Sequence, residues 1–147
     1  MTKLLLALAL FIAPAAFATD FGSAPVARAP HVIHLTFLGG TAHLHLTWQE
    51  GPGLEVESVL HGEWHNGADH TPIEAPGAFK VELNMPAMGH GSSPTQLERG
   101  LDDRGQPLLG VYNVRGLYFT MAGDWEVVVS LNTPDGKVES QKFAVHL

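Results

Sequence analysis

The sequence predicts an all-β domain, a β-sandwich of about seven to eight short strands. Apolar residues recur at every second position in several segments, which is the period of a strand with one buried face. Glycine, proline and aspartate separate these segments at short intervals, as they do at turns. No segment beyond residue 30 carries the period of an amphipathic helix. These three observations favour two packed sheets.

A secretory signal peptide is predicted for residues 1–18. Lys3 supplies a positive start, and the apolar run Leu4–Ile12 is too short to span a bilayer. Small residues at positions 16 and 18 predict cleavage after Ala18. Residues 19–30, with two prolines, are expected to form a flexible lead-in, and residues 31–147 a single domain. We therefore expect a periplasmic or secreted protein without a membrane span after cleavage.

Two alternating runs open the domain. Ile33–Phe37 and Leu44–Trp48 place hydrophobic residues at every second position, and Gly39-Gly40 between them predicts a hairpin turn. Leu54–Leu60 predicts a further strand, and the polar segment 61–77 predicts a long loop.

The second half of the chain carries the remaining predicted strands, separated by turns at residues 101–107, 122–124 and 133–136. Glycines within the predicted segment 108–120 indicate bends, so that segment holds one or two strands. The predicted strands cover residues 79–85, 95–99, 108–120, 125–131 and 143–147.

Composition narrows the function. The chain has no cysteine, which excludes disulfides, thiol catalysis and a blue-copper centre. A net charge of −7 without a basic stripe disfavours nucleic acid as a partner. The sequence shows neither a positioned nucleophile and base nor a glycine-rich phosphate loop, so we expect no enzyme. Nine histidines against eight lysines and arginines favour metal binding, because imidazole is the commonest metal ligand.

The loop that begins at Met85 has the donors of a soft-metal site. Met85, Met88 and His90 lie within six residues, and Met121 precedes a turn elsewhere in the chain. Thioether and imidazole groups suit copper(I), and they survive an oxidising compartment. Met85 and Met121 share the alternation of their apolar neighbours, so core packing is the competing interpretation for both. Met88 and His90 fall outside any alternation.

Three stretches of the chain resemble the YtkA-like family of exported immunoglobulin-like domains, which is related to FixH-type proteins. These stretches are MPAMGH at 85–90, GVY at 110–112 and LYFTMAGDW at 117–125. The resemblance implies an immunoglobulin-like β-sandwich that binds copper through a Met-x-x-Met-x-His loop, with Met121 nearby. It also implies a context of copper handling, with another exported copper protein as a partner. The chain departs from the family pattern before residue 79, where the histidines of segment 61–77 have no family role.

A second metal site is predicted from the Gly39-Gly40 turn. This turn places His34 opposite His45, with His43 on the same face, close enough to share copper(II) or zinc. A solvated, histidine-rich sheet face is the competing interpretation. In the predicted loop, His61, His65 and His70 could form a metal-capturing segment or a plain polar surface.

Two functions are consistent with these patterns. The first is a periplasmic copper(I)-binding or copper-carrying protein, with Met88 and His90 as ligands and Met85 or Met121 completing the site. The second is a non-catalytic exported interaction module that binds no metal.

Overall fold

The computed structural model describes residues 31–147, and of His90 only the backbone. The predicted signal peptide and lead-in lie outside this range. Within it, no helix has the length and apolar character that a membrane crossing requires.

The alternating segments form nine antiparallel strands and one short 3₁₀ turn. In chain order they are β1 Ile33–Phe37, the 3₁₀ turn Leu38–Gly40, β2 Ala42–Glu50, β3 Glu57–Asn66, β4 Phe79–Met85, β5 His90–Gly91, β6 Gln96–Leu101, β7 Pro107–Tyr118, β8 Asp124–Asn132 and β9 Val138–His146.

Two sheets pack face to face, which confirms the β-sandwich. One sheet has the order β1-β2-β3-β7-β6 and the other the order β5-β4-β8-β9. Alternate residues of both sheets fill the space between them with apolar side chains, including the fully buried Trp64 and Trp125. Eight strands have at least five residues, in agreement with the predicted number, and β5 adds a two-residue strand.

The predicted first hairpin is confirmed in its register. His34 pairs with His45 and Thr36 with His43. Leu38, Gly39 and Gly40 all have positive φ in the turn. Glycine tolerates this conformation without a Cβ penalty, which explains its use at two of the three positions.

The predicted loop at residues 61–77 is wrong in its first part. Residues 61–66 continue β3, which pairs with β2 on one side and β7 on the other. Gly62 and Trp64 face the core while His61, Glu63 and His65 face outward. The alternation was present in the sequence, but polar residues on the outer face gave the segment a loop-like composition. Residues 108–118, predicted as one or two strands, lie within the single strand β7.

The sandwich has two distinct ends. At one end, the tilted ring of Trp64 contacts both Phe37 and Phe79, at the start of β4. At the other end, β4 finishes at Met85, next to the turn before β8. Six residue steps of a strand separate these ends by about 20 Å.

A truncation of Phe37 tests this core. The side chain is 0% exposed and packs on Trp64, so Phe37→Ala should lower the free energy of unfolding by about 3–5 kcal/mol. Val138 is 64% exposed, and Val138→Ala should change the free energy of unfolding by less than about 0.5 kcal/mol. Urea unfolding followed by tryptophan fluorescence measures both. Equal effects of the two substitutions would contradict this assignment of the core.

Candidate metal centre

Five imidazoles converge on the outer face of the first sheet. β1 supplies one, β2 two, β3 one, and the loop after β3 supplies the fifth. They are His34, His43, His45, His65 and His70. The strand residues share this face because their neighbours, such as Leu44 and Trp64, point into the core, and successive side chains of a strand alternate.

His45 is the hub of this histidine cluster. Its ring centroid lies 4.3 Å from that of His34 and 4.5 Å from that of His65. The centroids of His70 and His43 lie 6.0 and 6.4 Å from it. The rings of His43 and His70 are 5.3 Å apart, so the cluster closes around His45 on several sides.

Three of these histidines have the spacing of a metal site. One ring nitrogen from each of His43, His45 and His70 lies within 4.8 Å of the other two. Imidazole nitrogens bind zinc at about 2.0–2.1 Å, so two ligands of one ion lie no more than about 4.2 Å apart. The observed spread exceeds that limit by about 0.6 Å, so metal binding would require the three rings to move slightly closer. Among the residues described, this is the one group of three or more histidine and carboxylate side chains with such spacing.

One nitrogen of the hub has no partner. The Nε2 atom of His45 is buried and accepts or donates no hydrogen bond. Buried polar atoms are nearly always paired, since an unpaired one costs about 1–3 kcal/mol. A ligand at the centre of the cluster would remove this cost.

The surroundings of His45 favour its neutral form. Burial of the ring lowers its pKa below the ordinary value of 6.5, and the nearby charges of His65, His34, His70 and His43 lower it further. Metal ions bind the unprotonated imidazole, so at neutral pH this ring is ready to coordinate.

His65 serves a different role from the three clustered ligands. Its Nδ1 donates to the backbone oxygen of His70 at 2.9 Å, because a carbonyl can only accept. Its Nε2 lies 3.3 Å from a carboxylate oxygen of Glu63. With both nitrogens engaged, the ring supports the loop that carries His70.

Glu63 anchors this support. Its other oxygen lies 3.0 Å from Nε2 of His61, whose Nδ1 lies 3.1 Å from Oδ1 of Asn113. The hydrogen bond from His61 is the main cause that lowers the Glu63 pKa below its ordinary range, and the hydrogen bond from His65 adds to it. Carboxylates that orient histidines in this way are common around metal sites.

The predicted soft-metal residues lie at the other end of the sandwich. Met85 is 7% exposed and belongs to the core, whereas Met88 is 55% and Met121 37% exposed. A Cβ added at Gly123 would lie 2.9 Å from the Met85 methyl group, so the turn after Met121 lies against this side chain. The backbone of His90 pairs with that of Met85 in the β4–β5 ladder. The structure thus gathers Met85, Met88, His90 and Met121 at one end by their backbones.

Comparisons with protein-family models, with curated proteins and with solved structures give no match. The resemblance to the YtkA-like family therefore stays a prediction.

Sequence reasoning found part of the histidine cluster. The turn correctly placed His34, His43 and His45 on one face. The predicted loop 61–77 contains His65 and His70 and gives no sign of their approach to His45, which the structure shows. The alternation of His61, Glu63 and His65 around inward-facing Gly62 and Trp64 was the signal that could have placed His65 opposite His43.

The lowered pKa of His45 predicts a pH dependence of the metal-free domain. The unfolded chain binds a proton at this residue near pH 6.5, and the folded chain only at lower pH. The stability associated with the neutral ring is therefore fully present above pH 6.5 and is lost as the pH falls through the folded pKa. The urea concentration at the midpoint of unfolding, measured with a chelator to keep the domain metal-free, should decrease as the pH is lowered from 7.5 to 5.

His45→Gln is the matched control for this prediction, because it removes the titrating ring. Its urea midpoint should decrease less over the same pH range. A slope identical to that of the parent would show that His45 has an ordinary pKa in the folded protein.

Proposed function

We propose that this chain is an exported protein that binds a late first-row transition metal through the imidazoles of His43, His45 and His70, and that the ion is copper(II) or zinc. The observation that carries the proposal is the His45 ring, which lies among four other imidazoles and has a buried Nε2 without a hydrogen-bond partner.

The donor set selects the class of ion. Imidazole suits zinc, copper and nickel, whereas magnesium and calcium require oxygen ligands. The three-residue group contains no carboxylate. Affinity for such sites peaks at copper(II) in the first-row series, so copper is the favoured ion.

The position of the site favours carriage over a structural role. His43 and His45 are half-buried and His70 is exposed, so one side of the ion faces solvent. Structural zinc sites are closed by four protein ligands, while three histidines leave a position open. An open position allows a ligand from another exported protein to take the ion. The predicted signal peptide supports an exchange in the periplasm or outside the cell.

The methionine end supports a second, softer site for copper(I). Met88 and Met121 are exposed although they are hydrophobic, and the turn after Met121 lies against Met85. We propose that Met88 and His90 bind copper(I), with Met85 or Met121 as the third ligand. A protein with both sites would accept copper in either oxidation state. The competing function is an interaction module without metal.

Metal titration tests the histidine site. The purified domain, residues 19–147, should bind one copper(II) ion at the cluster, with a nitrogen-rich signal in electron paramagnetic resonance. His43→Ala and His45→Ala should each weaken binding by at least about 100-fold, because each removes a ligand outright and even supporting residues contribute 10–100-fold. Circular dichroism checks that the sandwich persists.

His146→Ala is the matched control, since His146 lies outside the cluster and contacts Asp124 at 2.7 Å. It should bind copper(II) like the parent. If the parent shows no stoichiometric binding of copper(II) or zinc, the function as an interaction module is the better conclusion.

A separate titration tests the methionine site. Competition with a copper(I) chelator should show one site that Met88→Leu weakens by at least about 10-fold, because leucine keeps the volume and removes the sulfur donor. His45→Ala should leave this copper(I) site unchanged, since the cluster lies at the other end of the sandwich. Equal copper(I) affinity in Met88→Leu and the parent would remove this loop from the proposal.

A further inference from the structure

The third imidazole of the histidine cluster comes from a loop that folds back on the sheet. After β3 ends at Asn66, the loop turns within five residues, and His70 returns over β2 to lie beside His43. Backbone hydrogen bonds close this turn, from Asn66 to the oxygen of Thr71 at 2.8 Å and from His70 to the oxygen of Asn66 at 3.0 Å.

Side chains of the loop fix the same turn. Oδ1 of Asn66 accepts from the backbone of Ala68 at 2.8 Å, and Oδ1 of Asp69 accepts from the backbone and hydroxyl of Thr71 at 3.1 and 2.8 Å. His70 has a φ of 55°, in the left-handed region that a residue with a Cβ adopts at a cost. These bonds hold the loop in a conformation that faces His70 toward the cluster.

Gly67 joins this loop to the first hairpin. Its backbone nitrogen donates to the oxygen of Thr41 at 2.9 Å. A Cβ at Gly67 would lie 1.8 Å from the backbone oxygen of Gly40, a distance no pair of atoms tolerates. The atoms of Gly40 that this Cβ would meet belong to the backbone and cannot rotate away, so any side chain here would push the loop away from the hairpin turn.

We propose that residues 66–71 act as a latch that brings the third ligand, His70, to the two sheet ligands, and that Gly67 is the positioning residue that lets the latch dock. This inference rests on the proposed function. The sheet fixes His43 and His45 through the β1–β2–β3 ladders, whereas His70 is held by the docked loop and by the hydrogen bond from His65 to its backbone oxygen. The affinity for metal therefore depends on a glycine that does not touch the ion.

Gly67→Ala tests the latch in the metal-binding domain, with copper(II) alone as the probe. The displaced loop should weaken copper(II) binding by about 10–100-fold, the range for residues that position metal ligands. The electron paramagnetic resonance spectrum of the bound copper(II) should show one nitrogen ligand fewer than that of the parent. Gly77→Ala is the matched control, because a Cβ there would lie 2.0 Å from the backbone oxygen of Asn132, at the far end of the same connection. It should lower stability without changing copper(II) affinity.

A double substitution separates positioning from general destabilisation. His70→Ala should weaken binding by itself, and in that background Gly67→Ala should change the affinity by less than about twofold, since its effect acts through His70. If Gly67→Ala weakens copper(II) binding as much in the His70→Ala background as it does in the parent, the inference is overturned.

Asp69 gives a second test that spares the packed turn, because its side chain is exposed. Asp69→Ala removes the acceptor of both Thr71 bonds and should weaken copper(II) binding, whereas Asp69→Asn keeps an oxygen and should retain most of it. If the parent binds copper(II) and Gly67→Ala and Asp69→Ala bind equally well, the latch is wrong and the metal site stands. If the parent binds neither copper(II) nor zinc, the proposed function and the latch fail together.

Discussion

The burial of Trp64 between the sheets is the constraint from which the outer face follows. Its ring packs against Phe37 and Phe79 with no exposed surface. This contact determines which side chains of β3 near Trp64 point into the core. Since strand side chains alternate, Glu63 and His65 must then face solvent. A slip of one residue would move Trp64 into water and these polar groups into the core. The histidine cluster is thus held in place by apolar packing on the opposite side of the sheet.

Crowding of imidazoles in this cluster has an electrostatic consequence. Five rings that each gain a proton would repel one another, and burial of His45 adds a desolvation cost to its charged form. The acidic chain, with a net charge of −7, offsets part of the repulsion at long range, and Glu63 and Asp69 supply carboxylates close to His65 and His70. A divalent cation on the unprotonated His45 ring, as proposed, would take the place of this unfavourable protonation.

The sequence predicted more of the fold than of the site. Alternating residues identified β1, β2, β4 and β8, because a strand with one buried face has hydrophobic residues at every second position of the sequence. The glycine turn fixed the register of the first hairpin and so placed His34 opposite His45. The approach of His70 was beyond prediction, because it depends on the contact between Gly67 and the turn at residues 38–41, a tertiary contact without a local pattern.

The separation of the two ends along β4 has its own consequence. Ends about 20 Å apart along β4 are too distant for one small ligand to bridge them. The space between the sheets along this length is filled with apolar side chains. If both proposed sites bind metal, each would load independently of the other.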